Sequence, residues 1–234
     1  MKQHIKGNYF LVLGDVFSRE IDFNEFEISP AANKWQNNLY EEMILQGYLI
    51  FNFSIINDAY WPKGKLLPLK EGFNASFGKI VPYINFPGLR NLTIFVSKLF
   101  FLIQLALKEK KLPEFIITYN HQFSASIISL IMSVIGAKWI NICADAYNPN
   151  KHWTNFPFLP RLAKANVFLS DWAYRNCPFG KRIFFWGGIP KRQPSLAHMN
   201  DQKIKIMYSG MLNQWGGVSN FLQSILKLDE FNYE

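Results

Sequence analysis

The first readable element is a continuous apolar run, Tyr9-Phe-Leu-Val-Leu-Gly-Asp-Val-Phe, which closes near Gly14. Such a run, without polar alternation, is what a strand buried on both faces of a parallel sheet requires. A polar, acidic loop follows. Ser29 and Pro30 then supply a capping hydroxyl and a proline at the first helical position. The spacing predicts a helix over 31–46 with Ala32, Trp35, Leu39 and Met43 on one stripe, stopped by Gly47. A second apolar run over 48–56 completes a strand–helix–strand unit, whose strands should be parallel and whose crossover should be right-handed.

The same alternation continues. The pattern predicts a strand near 79–84, a helix over 91–111 and a strand over 115–119. It then predicts a helix over 121–136, a strand over 138–144, a strand over 165–170, a short helix over 171–176 and a strand over 182–186. Strands alternating with helices specify an α/β class with a Rossmann-like, doubly wound and mostly parallel sheet. Residues 1–190 are the expected first domain, and the polar stretch 191–202 reads as a linker. Residues 203–234 read as a strand, a glycine-containing loop and an amphipathic helix, the first βα unit of a second Rossmann-like domain. One such unit cannot cover both faces of a sheet, so a C-terminally truncated second domain is expected.

Composition narrows the function classes. The chain has 234 residues, 49% hydrophobic and 18% charged, enough apolar material for a real core. Its net charge of +8 suits polyanions, anionic lipid or phosphorylated small molecules. Nucleic acid is not an expected partner, because no recognition motif and no dense Lys/Arg stripe is present. The two cysteines, Cys143 and Cys177, lack metal-ligand spacing, which points to a reducing compartment and no metal. Two apolar runs, 92–107 and 123–137, fall short of the roughly 20 residues a membrane span needs and read as helices packed on a sheet. Lys98, Lys108, Lys110 and Lys111 edge the first of them, with Lys63, Lys65, Lys70 and Lys79 in the preceding loops. That set is a candidate for docking on an anionic membrane.

In open α/β sheets ligands sit beyond the carboxyl ends of the strands. That rule selects Gly14 and Asp15, Asn120 and His121, Asp145, Gly187 and Gly188, and Ser209 to Gly217. His121 follows a strand and opens a helix, where an imidazole can donate to an oxyanion or phosphate. Asp145 ends another strand, where a carboxylate can orient a sugar hydroxyl or act as a base. Both residues are also compatible with plain capping. Gly210 with Gly216 and Gly217 lets backbone approach a diphosphate at a helix N-terminus, although this is neither a dinucleotide fingerprint nor a Walker loop.

The order of four segments resembles the retaining GT-B glycosyltransferases of family 4 that build bacterial surface polysaccharide. These are Ser29-Pro-Ala-Ala-Asn-Lys-Trp, then Tyr119-Asn-His-Gln with Ala144-Asp145, then Ala165-Asn-Val-Phe-Leu-Ser with Phe185-Trp-Gly-Gly-Ile-Pro, and Ile206-Met-Tyr-Ser-Gly-Met-Leu-Asn-Gln-Trp-Gly-Gly-Val. The resemblance implies that the first domain holds a saccharide or lipid-linked acceptor, with Asn33, Lys34, Trp35 and Asn120 binding it and His121 and Asp145 at the catalytic centre. It implies a nucleotide-sugar donor as co-substrate, with no further cofactor, held by Ser209, Gly210, Asn213, Gly216 and Gly217. The expected location is the cytoplasm, with the inner face of the cytoplasmic membrane as the place to meet a lipid-linked acceptor. Two positions depart from the family pattern. Met211 and Gly216 stand where members carry Arg and Lys for the donor diphosphate, and the paired-glutamate motif would lie beyond Glu234. Transfer by the chain unaided is therefore not expected. The alternatives are a non-catalytic binding subunit or pseudoenzyme, and a sugar-nucleotide epimerase of the same architecture.

Overall fold

The computed structural model describes residues 9–18, 29–69, 74–120, 122–144, 159–177 and 181–185. All lie in the first of the two units into which the chain divides, Met1–Lys191; the second, Arg192–Glu234, falls outside the described residues. The expected linker and donor-binding residues are therefore outside them too.

The apolar runs form strands where the pattern places them. In chain order the elements are β1 (Tyr9–Leu13), α1 (Pro30–Leu45), β2 (Leu49–Ser54), β3 (Gly78–Ile80), α2 (Arg90–Glu109), β4 (Phe115–Tyr119), α3 (Phe123–Val134), β5 (Lys138–Cys143), β6 (Ala165–Phe168), α4 (Asp171–Asn176) and β7 (Arg182–Phe184). A 3₁₀ turn, Leu159–Leu162, precedes β6. The strand expected at 79–84 is only three residues long and starts one residue earlier.

The seven strands form one parallel sheet in the order β3-β2-β1-β4-β5-β6-β7. The chain builds outward from β1 on one side and then returns to its other side at β4. This reversal between β1 and β4 creates the crevice in which open α/β sheets take ligands.

Side chains alternate along each strand, so β1 feeds two cores. Tyr9, Leu11 and Leu13 join Ile94, Leu102 and Leu105 of α2 and Ala125, Ile128 and Met132 of α3 on one face. Phe10 and Val12 join Tyr40 of α1, Ile50, Ile117 and Ile142 on the other. Trp35, Leu39 and Met43 pack partly buried against this second core, as the stripe predicts.

The ends of α1 match the sequence reading. The Ser29 hydroxyl accepts from Ala32 N–H at 3.3 Å, Pro30 opens the helix, and Gly47 takes a φ of +91° just past it. Its deepest face does not match. Asn33, Gln36, Asn37, Asn38 and Tyr40 are the buried residues of α1. Asn33 Oδ1 accepts from Phe17 N–H at 2.8 Å, and both Asn33 Nδ2 and Asn37 Nδ2 donate to Phe17 O, at 3.2 and 3.0 Å. The helix is fastened to the loop after β1 by amides that complete otherwise unpaired backbone groups.

A second buried polar array crosses the other half of the sheet. Thr118, Asn141 and Asn166 stand in register on β4, β5 and β6. Trp139 Nε1 donates to Thr118 Oγ1 at 2.9 Å. The Thr118 hydroxyl in turn donates to Asn141 Oδ1 at 2.8 Å, and Asn141 Nδ2 donates to Asn166 Oδ1 at 3.0 Å. All four residues are at most 2% exposed.

Candidate functional site

The crevice between β1 and β4 collects residues from five places in the chain. Directly after β1, Gly14 and Asp15 turn out of the sheet. The backbone N–H of Val16 donates to Ser54 Oγ at 2.9 Å, which ties this turn to the end of β2. Asp15 is the hub of a hydrogen-bonded network. Its Oδ1 accepts from Ile55 N–H at 3.1 Å, and its Oδ2 accepts from Gln122 Nε2 at 2.8 Å and from Asn57 Nδ2 at 3.3 Å.

Two cations stand behind those amides. Lys98, on the inward face of α2, is completely buried and donates to Gln122 Oε1 at 3.1 Å. Arg90 Nη2 donates to Asn57 Oδ1 at 2.8 Å, and its guanidinium lies over the Tyr60 and Tyr83 rings at 5.0 and 5.4 Å. Desolvation dominates both ionisable ends. Burial pushes the Asp15 carboxyl up from its ordinary range, against the charges of Lys98 and Arg90 and the bonds from Ile55 and Gln122. Burial pulls the Lys98 ammonium down to about 8, with the Asp15 charge opposing. Asp15 keeps part of its surface open to the crevice, while its carboxylate is densely surrounded.

The crevice holds a cleft of about 260 Å³ whose polar lining includes Asp15, Asn33, Gln36, Asn57, Asn120 and Gln122. A second cleft of about 380 Å³ shares Asn57 and Gln122 and adds Tyr60, Arg90, Asn91 and Ser124. In the first cleft Gln36 is 2% exposed, and its Oε1 has no hydrogen-bond partner among the described residues. Its Nε2 makes only a long bond of 3.4 Å to Ala32 O. Gly14 leaves space for this amide, because a Cβ there would stand 2.9 Å from Gln36 Oε1. A buried acceptor without a donor is costly in isolation and is satisfied when a ligand hydroxyl or N–H enters.

Of the acceptor residues expected from the sequence, Asn33 and Asn120 meet in this cleft. The Asn33 amide is engaged with Phe17 as described. Asn120 adopts a left-handed φ of 52° and accepts from Ala144 N–H at 2.9 Å, which links the ends of β4 and β5. Lys34 is exposed and does not line the cleft. Trp35 is partly buried beside it, with ring centroids 6.0 Å from Tyr119 and 6.2 Å from Phe185. His121 and Asp145 lie outside the described residues, each two positions past the end of β4 or β5 in sequence. Ser209, Gly210, Asn213, Gly216 and Gly217 are outside them as well.

Gln36, Asn57, Gln122 and Lys98 are site residues that the sequence reading did not select. Gln36 had a usable signal, since it lies one helical turn after Asn33 on the same face. Lys98 had one too, as the lone cation inside an apolar helix. Its placement corrects its expected role, because a completely buried lysine pointing at the crevice does not belong to an outward docking face. Among the described residues no cluster of three His, Cys, Asp or Glu is arranged to hold a metal. No protein-family model matches the chain, and no curated protein matches it significantly.

Proposed function

We propose that the first unit of this chain binds a saccharide and serves as the acceptor-binding half of a glycosyltransferase that uses a nucleotide-sugar donor. The observation that carries this reading is the unpartnered Gln36 Oε1 in a cleft lined by amides and one carboxylate, at the point where the strand order reverses. Saccharide hydroxyls both donate and accept. A wall of Asn and Gln side chains matches them, and a buried acceptor selects for a ligand that brings a donor. The four ordered sequence segments support the same reading. In it, His121 and Asp145 are the expected catalytic residues, and Ser209, Gly210, Asn213, Gly216 and Gly217 are the expected donor-binding residues.

Binding and transfer are tested separately. In saturation-transfer NMR with methyl glucoside, methyl galactoside and N-acetylglucosamine, at least one sugar should receive saturation from the native chain. Gln36→Leu should weaken that binding by at least about tenfold, the size of one lost buried hydrogen bond. Silence from all three sugars, or equal binding by native and variant, overturns the cleft assignment. Incubation with radiolabelled nucleotide sugars and the sugar that binds tests the chemistry. Label in the acceptor supports the transferase, and binding without label favours the non-catalytic binding subunit.

A further inference from the structure

The outer face of α2 carries a second surface, separate from the cleft. Leu92, Val96, Phe100, Ile103 and Leu107 are 51–73% exposed. Their spacing of four, four, three and four residues puts them within an arc of about 80° at about 100° per residue. Ile94, Lys98, Leu102 and Leu105 occupy the opposite face and are buried in the fold. At 20 residues the helix is longer than the expected run over 92–107, which corrects that expectation: by length and composition alone it could span a membrane. Its buried inner face makes it a structural cover of the sheet, so an approaching partner meets it side-on.

The surroundings of this stripe are apolar and cationic. At its N-terminal end Phe86 and Leu89 are exposed, and the exposed Trp61 ring lies 5.9 Å from Phe86. Leu66, Leu67 and Leu69 of the preceding loop are also exposed. Among described residues between 57 and 112, the only carboxylates are Asp58 and Glu109, against exposed Lys63, Lys65, Lys79, Lys108 and Lys110. A groove of about 450 Å³ adjoins the stripe, floored by Phe51, Phe53, Phe101 and Leu105 and flanked by Lys79 and Lys108.

We propose that this face of α2 docks the protein on an anionic phospholipid surface, with the helix lying in the plane of the interface. The stripe supplies apolar area to the headgroup–acyl boundary, and Lys79, Lys108 and Lys110 meet lipid phosphates. Trp61 sits at the depth where amphipathic rings gather. Charge selects this occupant over a second copy of the chain, since a net charge of +8 opposes self-association and favours an anionic surface. The proposal does not depend on what the cleft binds.

The test is co-sedimentation of the full chain with vesicles of phosphatidylcholine alone and with phosphatidylcholine containing about 30% phosphatidylglycerol. The native chain should prefer the anionic vesicles by at least about tenfold at low salt, and the preference should shrink as salt rises. Phe100→Glu with Ile103→Glu should abolish binding while circular dichroism stays native, since both side chains point outward. Lys108→Gln with Lys110→Gln should remove the anionic preference. Equal partition of native and variant chains, or no binding by the native chain, overturns the proposal. So does a concentration-dependent dimer in sedimentation velocity that Phe100→Glu dissolves without any vesicle binding.

Discussion

Between about pH 8 and pH 10.5 the native protein should gain roughly 3 kcal/mol of stability relative to its Lys98→Met variant. The sign follows from proton counting. Burial lowers the Lys98 ammonium to about 8, whereas the unfolded chain keeps the ordinary 10.5. Within that window the unfolded state holds a proton the folded state has shed, so stability rises with pH through this group. At about 1.4 kcal/mol per pH unit the gap amounts to roughly 3 kcal/mol, and the group's complete burial leaves no solvent screening to discount. Burial raises Tyr9, Tyr83 and Cys143 to about 12. Those groups act in the opposite sense above their ordinary values, but they are common to both proteins and cancel in the difference. Asp15 also has a raised folded value, so its contribution is lost as pH rises above the ordinary 3.8, the opposite sense to Lys98. Urea melts at several pH values report the difference. A native-minus-variant difference that stays flat from pH 8 to 10.5 would show that Lys98 is not the buried cation of this network.

Asn141→Leu should destabilise the fold by about 2–5 kcal/mol, although leucine keeps the same number and branching of side-chain heavy atoms as asparagine. Asn141 accepts from the Thr118 hydroxyl and donates to Asn166 Oδ1, in a layer where every member is at most 2% exposed. Removing its amide takes a partner from each neighbour, and each buried polar group so deprived costs about 1–3 kcal/mol. Thr118 remains bonded to the indole N–H of Trp139, so the damage centres on β5 and β6. The double change Asn141→Leu with Asn166→Leu removes donor and acceptor together. It should cost less than the sum of the two single changes, because no carboxamide remains to be left unsatisfied. Denaturant midpoints of the three variants measure this coupling. Additivity within about 0.5 kcal/mol would mean that the layer does not act as a connected array.

Much of the architecture was legible because local patterns carry it. β4 and α4 fall where the sequence places them, and the strand edges elsewhere move by a few residues. The cap at Ser29 and the stop at Gly47 were readable for the same reason, since each depends on neighbours a turn away. The inner face of α1 was not readable. Its period suggested an apolar stripe, but Asn33 and Asn37 are buried because Phe17, a residue from another element, needs their hydrogen bonds. The short β3 was misjudged in extent because Gly78 and Lys79 pair with β2 residues 26 positions earlier, a contact no local period reports.

The site divides along the same line. The rule of strand ends points to Gly14, Asp15 and Asn120 from the sequence, since it needs only where apolar runs stop. It does not point to Gln122 and Lys98 as the partners of Asp15. Gln122 lies 107 residues from Asp15 along the chain, and the two meet only because the strand order reverses beside β1. Lys98 stands out in sequence as the lone cation within the apolar run 92–107, but the run does not say which way it faces. The packing of α2 on the sheet turns that position inward and Leu92, Val96, Phe100, Ile103 and Leu107 outward. Apolar periodicity alone determined that this chain forms alternating strands and helices, because the period is a property of consecutive residues. Which polar groups are buried together, and which apolar ones remain in water, was decided by the tertiary structure, because crossover order and helix rotation are set by the whole sheet.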